Sequence, residues 1–437
     1  MSSHKMNIVE EKNFLRRLLK DSSVLLAGSV ISKGLVFLAW IYVAKKISVE
    51  DYGSVGYIRS SFNMIFSFIN IGIGLYATKE ISKIRNESKG LNEKIIIITA
   101  ISISIIVLEI IIAYALYLLF SDSSNRFLFF NAFIIPFAFL TAVLSGMISG
   151  LEKFKYLTIS NIVGGVISFI LIFLSSLTNN INYIIYSFYL TYIIQFFLLL
   201  FTFYKVAKVK YIDLKQLPWI EEIRTCLNFC IPGFLAGLLY FPVKWYAEFR
   251  YIDELNGGYI LGVFYAAQLF NTLFLMMSYN ISTPIFTRLS SGNENRKFKF
   301  INMHLNWVLG VLIALPILIY PDVIDWVFNN KYKGSDFTIN LLVTILYTIT
   351  FMFKQGVGRK IATDNKMWLF LIDNLMFAIL FISCVFAFPA NIYTLTLSYF
   401  ISYFISSFII VYYYRNNIGL LLRDIFRWEY FISVVLI

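Results

Sequence analysis

Charged residues are scarce in this sequence. Asp, Glu, Lys and Arg make up 14% of its 437 residues, against about 25% in an average soluble domain. A soluble chain of this length must still cover its surface with polar groups, so the deficit excludes an ordinary globular protein. His4 and His304 are the only histidines. The three cysteines, Cys226, Cys230 and Cys384, cannot close a disulfide framework. Cys226 and Cys230 lie one helical turn apart and read as small apolar packing residues, not metal ligands. A Gly-rich nucleotide loop is also missing, so nothing points to direct ATP coupling. Residues 1–20 are polar and charged, and the first apolar run is too long for a signal-peptide core, so no cleavable leader is expected. Val9–Lys20 reads instead as a short amphipathic helix on the membrane face.

What the chain has in abundance is apolar surface: 59% of residues are hydrophobic, with 44 Phe and 29 Tyr. A helix needs about 20 apolar residues to cross the hydrocarbon core, and in lipid only a helix satisfies its own backbone over such a run. Twelve candidate spans follow: 23–43, 55–77, 95–119, 127–150, 158–177, 182–204, 226–247, 259–284, 304–320, 337–357, 367–388 and 391–414. The formal net charge is +12. No basic stripe interleaved with aromatics runs along a polar segment, which argues against nucleic acid. The Lys and Arg sit in alternate short loops: 28 on the side of the N-terminus, 6 on the other, and 3 within spans. Basic loops stay in the cytoplasm, so both termini are expected there.

The spans divide six and six. The expected organisation is a cytoplasmic amphipathic segment (1–20), an N-terminal six-helix lobe (21–204), a basic cytoplasmic linker (205–225), a C-terminal six-helix lobe (226–414) and a cytoplasmic tail (415–437). Transporters are commonly built from such repeats. No outer loop exceeds about sixteen residues, so there is no soluble domain to carry chemistry. A membrane enzyme such as a polysaccharide polymerase, glycosyltransferase or acyltransferase needs a catalytic constellation that is not visible here.

Ionisable groups inside spans are costly and usually face a cavity. Lys33 sits near the middle of the first span and is the most informative residue; it reads as a cavity cation or as the structural partner of Glu109, also near mid-span. Arg59 and Lys244, near the outer ends of the second and seventh spans, either snorkel to the interface or line a cleft between the lobes. Glu109 is a candidate proton or sodium site. Asp373 reads as a charge partner for Lys366 or a cap on a kink. Asn63, Asn70, Gln268 and Asn271, and with them Gln195, are candidate sugar contacts, although interhelical hydrogen bonding is the commoner use of such residues. Pro232-Gly233 is the best hinge candidate.

Four stretches share one likeness. Val43-Ala-Lys-Lys-Ile-Ser-Val-Glu-Asp-Tyr-Gly53 resembles the first loop of polysaccharide flippases. Ile71-Gly-Ile-Gly74 followed by Ala77 resembles the end of their second helix, and Gly150-Leu-Glu-Lys-Phe-Lys155 the loop after their fourth. Pro321-Asp-Val-Ile-Asp-Trp-Val-Phe with Lys331-Tyr332 resembles the loop between their ninth and tenth, except that Asn329 stands where the family commonly has Gly. In order and spacing these resemble the Wzx-type O-antigen and repeat-unit flippases of the multidrug/oligosaccharidyl-lipid/polysaccharide (MOP) exporter superfamily. The resemblance implies an all-α, MATE-like polytopic membrane protein with two six-helix lobes around a central cavity. It also implies alternating access and an undecaprenyl-pyrophosphate-linked oligosaccharide as cargo, moved across the bacterial cytoplasmic (inner) membrane for O-antigen or capsule synthesis. The expected partners are that lipid-linked oligosaccharide, membrane lipids, a polysaccharide polymerase and a chain-length regulator; the expected cofactors are none, with H+ or Na+ as candidate coupling ions. A MATE-like antiporter of drugs or organic cations is the alternative, and it calls for mid-span carboxylates that bind cationic cargo.

Overall fold

In the computed structural model the chain is helical throughout its described residues, which are 8–67, 72–85, 88–119, 126–207, 217–254, 257–290, 296–320, 327–328, 331–332, 335–389 and 391–414. Thirteen helices run through them: α1 (Ile8–Lys46), α2 (Val49–Ser67), α3 (Ile73–Ile84), α4 (Ser88–Leu119), α5 (Arg126–Gly150), α6 (Phe154–Leu177), α7 (Ile181–Ala207), α8 (Trp219–Glu254), α9 (Gly258–Ser290), α10 (Arg296–Ile319), α11 (Ser335–Thr363), α12 (Trp368–Ala387) and α13 (Thr394–Tyr413). Ten of these, α4 to α13, are long and apolar enough to cross a membrane. The first expected span is part of α1. The second is divided between α2 and α3, and α3 is entered through Gly72 at φ 81, a left-handed conformation that glycine adopts without a steric cost.

Three boundaries differ from expectation. Val9–Lys20 is no separate helix, because α1 is continuous from Ile8 to Lys46. The seventh span is far longer than 226–247: α8 starts at Trp219 and carries Pro232 and Pro242 in its interior. The tenth extends past 357 to Thr363, so Arg359 and Lys360 are helical, not loop. The tail 415–437 and most of the linker lie outside the described residues.

Helices α1–α7 make one lobe and α8–α13 the other. In the first, α1 packs along α6, and α5 lies between α3 and α7; in the second, α12 lies between α8 and α13, and α11 contacts α9, α10 and α13. The lobes meet where α1 and α2 cross α9 and where α2 crosses α8. In lipid, close helix approach depends on small residues. At the seam a Cβ on Gly53 would lie 2.2 Å from the Gly258 carbonyl oxygen, and one on Gly262 the same distance from that of Val49. Trp245 of α8 adds a hydrogen bond from its indole to Ser61 of α2 at 2.9 Å.

Gly53→Leu is therefore expected to wedge the seam and cost about 1–3 kcal/mol by overpacking. Gly237→Ala, whose Cβ meets nothing within 4 Å, should be neutral. Thermal unfolding of the purified variants in detergent checks both; an unchanged Gly53→Leu midpoint would contradict the seam.

Candidate functional site: a cationic cavity between the lobes

A cavity of about 1040 Å³ lies between the lobes, at the upper end of the usual range for small-molecule sites. Its two walls differ. The N-terminal lobe contributes mainly small residues, among them Gly56, Ser60, Gly74, Ala142, Ser145 and Gly146. The C-terminal lobe contributes rings and amides, including Tyr240, Tyr265, Tyr279, Tyr347, Tyr403 and Gln268. The smooth wall allows close approach: a Cβ on Gly56 would fall 2.1 Å from the Tyr265 ring.

Among the described residues, four cations and one acid line the cavity: Arg59, Lys244, Lys354, Arg359 and Asp373. Arg59 is half-buried, its guanidinium 4.0 Å from the centre of the Trp40 ring and 5.7 Å from that of Phe188, where the quadrupoles of the rings offset part of the lost hydration. Lys244 is 3.7 Å from Glu248, one turn along α8. Glu248 is fully buried and accepts a hydrogen bond from the Tyr265 hydroxyl at 2.8 Å. Asp373 meets Lys354, not Lys366: the ammonium donates to its carboxylate at 2.7 Å and to Ser406 at 2.9 Å. Arg359 is buried and, among the described residues, donates to neutral acceptors alone, the Asn302 side chain and carbonyl at 2.6 Å each and the Ser282 hydroxyl.

The remaining sequence candidates separate. Asn63 is exposed on the cavity wall. Gln268 and Asn271 also line it but bond to each other at 2.9 Å and to the Tyr347 hydroxyl. Gln195 is instead an interhelical bridge to Asn161 at 2.9 Å. Asn70 lies outside the described residues. Lys33 is not part of the cavity wall. It is exposed and has no hydrogen-bond or ion-pair partner among the described residues. Phe37, one turn along on the same face of α1, packs edge-on to Phe270 of α9 at 5.8 Å, so this face looks toward the other lobe. No ion pair joins Lys33 to Glu109, whose Oε2 is buried without a hydrogen-bond partner. Cys226 and Cys230 are buried with sulfurs 3.8 Å apart, and among the described residues no three His, Cys, Asp or Glu could hold a metal.

Lys354, Arg359 and Glu248 were missed by sequence reasoning. Lys354 and Arg359 sit where α11 was expected to end and read as loop charges. Glu248 falls just past the expected end of its span.

The sequence pattern of the family described as "Polysaccharide biosynthesis protein" matches residues 18–290, well over half of the chain. The chain belongs to that family. A member-length relative is an uncharacterised membrane protein of Methanocaldococcus jannaschii, 23% identical over 363 residues that cover 78% of this chain and 85% of the relative. Among solved structures, an outward-facing MATE multidrug resistance transporter of the MOP superfamily superposes with TM-score 0.71 at 15% identity, covering 94% of this chain and 97% of its own. A MOP superfamily transporter from Pyrococcus furiosus, described as having a binding pocket of reversed polarity, gives 0.72 at 15% identity over 93% and 96%. At such identity the likeness is one of fold. This family member is thus a multi-pass membrane protein with the MATE-like two-lobe fold.

Because the Lys354–Asp373 pair is buried on both sides, Asp373→Ala should strand the ammonium and cost about 3–5 kcal/mol. The double variant Lys354→Met/Asp373→Leu should recover most of that loss. Melting in detergent reads both, and a single variant as stable as the parent would show that the pair holds nothing.

Proposed function

We infer that the protein is a flippase that carries an undecaprenyl-pyrophosphate-linked oligosaccharide from the cytoplasmic to the outer leaflet of a bacterial cytoplasmic membrane, for surface polysaccharide synthesis. The observation that carries this reading is the charge of the cavity in a chain of the polysaccharide biosynthesis family. Among its described lining residues the one acid, Asp373, is taken by Lys354, and Lys244 is paired with Glu248 behind the wall, which leaves Arg59 and Arg359 as the lining cations without a carboxylate partner among the described residues. Such a space repels cationic drugs and attracts phosphate.

Translocation needs no covalent step. Arg59 can grip a phosphate with two parallel hydrogen bonds, while Lys244 acts as a point charge. Lys33 supplies a further cation on the α1 face that looks across to α9. The hydroxyls and amides of Asn63, Gln268, Asn271 and the cavity tyrosines meet sugar hydroxyls. The two lobes then rock about this site so that it opens to one face at a time. The chain runs with both termini in the cytoplasm, and a polymerase and chain-length regulator act on the cargo once it has crossed.

Two measurements decide the matter. Deleting the gene should abolish surface polysaccharide, and inverted vesicles from the deletion strain should lose movement of lipid-linked saccharide until the gene is restored. Within that assay Arg59→Glu should lower the rate at least about tenfold, and Arg59→Lys should keep part of it, because a lysine retains charge but not the fork. Unchanged polysaccharide after deletion, or efflux of a cationic dye by the purified protein, would overturn the assignment.

A further inference from the structure

Two lysines cross between the lobes, one buried and one half-buried, and among the described residues neither ends on a carboxylate. Lys79 of α3, 2% exposed, donates to the Ala362 carbonyl at 3.1 Å and to the side chain of Asn365. Both belong to the C-terminal end of α11, where Asn365 turns the chain at φ 59. Lys331, between α10 and α11, donates to the Ala44 carbonyl at 2.9 Å and to that of Ile47. These carbonyls belong to the C-terminal end of α1. The last four carbonyls of a helix have no partner inside it and carry the negative end of its dipole. Each lysine therefore plugs the helix terminus of the opposite lobe.

The two contacts lie at opposite ends of the bundle. Lys79 sits at the end that carries Lys83, Arg85, Lys94 and Lys360; Lys331 sits at the other, beside Glu50 and Asp51 at the start of α2. At the Lys79 end a second crossing joins α4 to α8, where Lys94 pairs with Glu222 and the Tyr76 hydroxyl donates to Glu222 at 3.4 Å. The cavity lies between the two ends.

We propose that Lys79 and Lys331 are the two latches of the lobes, each closing one mouth of the cavity by docking on a helix C-terminus of the opposite lobe. The chemistry suits a contact that must break and re-form. A buried lysine torn from a carboxylate leaves two uncompensated charges; torn from helix carbonyls it leaves only dipoles that water can satisfy once the mouth opens. In this structure both latches are closed, so opening to either face requires one of them to let go. This inference rests on the two-lobe rocking of the proposed transport cycle, but not on what is carried.

The test uses the full-length protein with its three cysteines replaced by alanine and a single reporter, Gly237→Cys, on the open cavity wall. Labelling by a membrane-impermeant maleimide is timed from each membrane face, with no cargo present. Lys79→Met should speed labelling about fivefold or more from one face only, and Lys331→Met by a similar factor from the opposite face only. Adding Glu222→Gln should enhance the effect of Lys79→Met. Since Lys79→Met alone can misfold, Asn365→Gly, which keeps the left-handed turn and removes one acceptor, must speed labelling from the same face as Lys79→Met. Equal rates in all variants, or a rise from the same face for both lysines, would overturn the latch assignment. Because the readout needs no saccharide, the latches can fail while lipid-linked transport stands, and the reverse.

Discussion

A charge in hydrocarbon must be paired, solvated or placed on dipoles, and the architecture of this protein follows from how each buried cation meets that demand. Lys354 takes a carboxylate. Arg359 takes neutral oxygens of Asn302 and Ser282. Arg59 takes the faces of Trp40 and Phe188. Lys79 and Lys331 take helix termini. These solutions differ in how easily they are undone. The carboxylate pair is the hardest to separate, and it stays within the C-terminal lobe, between α11 and α12. The contacts that cross between lobes rest chiefly on carbonyls, an amide, a hydroxyl and rings. Of the charge pairs among the described residues, Lys94 with Glu222 is the one that joins α4 to α8, and both its members remain partly exposed.

That division gives the two lobes their mechanical character. Inside each lobe, glycines let helices touch backbone to backbone, as where a Cβ on Gly146 would fall 2.1 Å from the Gly74 carbonyl oxygen. The C-terminal lobe adds packed rings from three helices, with Tyr347 of α11 stacked on Tyr399 and Tyr403 of α13 and Phe377 of α12 tilted against both. Such packing is stiff because protein interiors do not deform continuously. The cavity between the lobes has a smooth wall on one side and a wall of rings and amides on the other.

The charge of the cavity is also a matter of geometry. By sequence position, carboxylates and cations mingle in the spans. In space, Asp373 is neutralised by Lys354, Glu248 sits behind the wall against Tyr265 and Lys244, and Glu109 lies outside the cavity lining altogether. What faces the open volume is positive.

The helical fold and the spans were legible in the sequence because lipid leaves an apolar run of twenty residues no alternative to a helix. Arg59, Lys244 and Asn63 were legible as cavity residues because a polar side chain inside a span stands out against its neighbours. Local signals could not reveal partners. Asp373 reads from the sequence as a partner of Lys366, close along the chain, and meets Lys354 instead, because the turn at 364–367 returns the chain from α11 into α12 and brings together residues 19 apart. Lys354 and Arg359 were hidden by a misplaced helix end, since a charge near a boundary reads as loop. Lys33 reads from the sequence as a wall residue, but among the described residues α1 contributes nothing to the cavity lining, because α1 packs along α6 and α9. The sequence by itself determined that this chain lives in a membrane as helices, since solvation acts residue by residue. Tertiary structure alone decided which charges meet, which face the cavity and which bridge the lobes, because a pairing depends on distance between helices that hydropathy along one helix does not record.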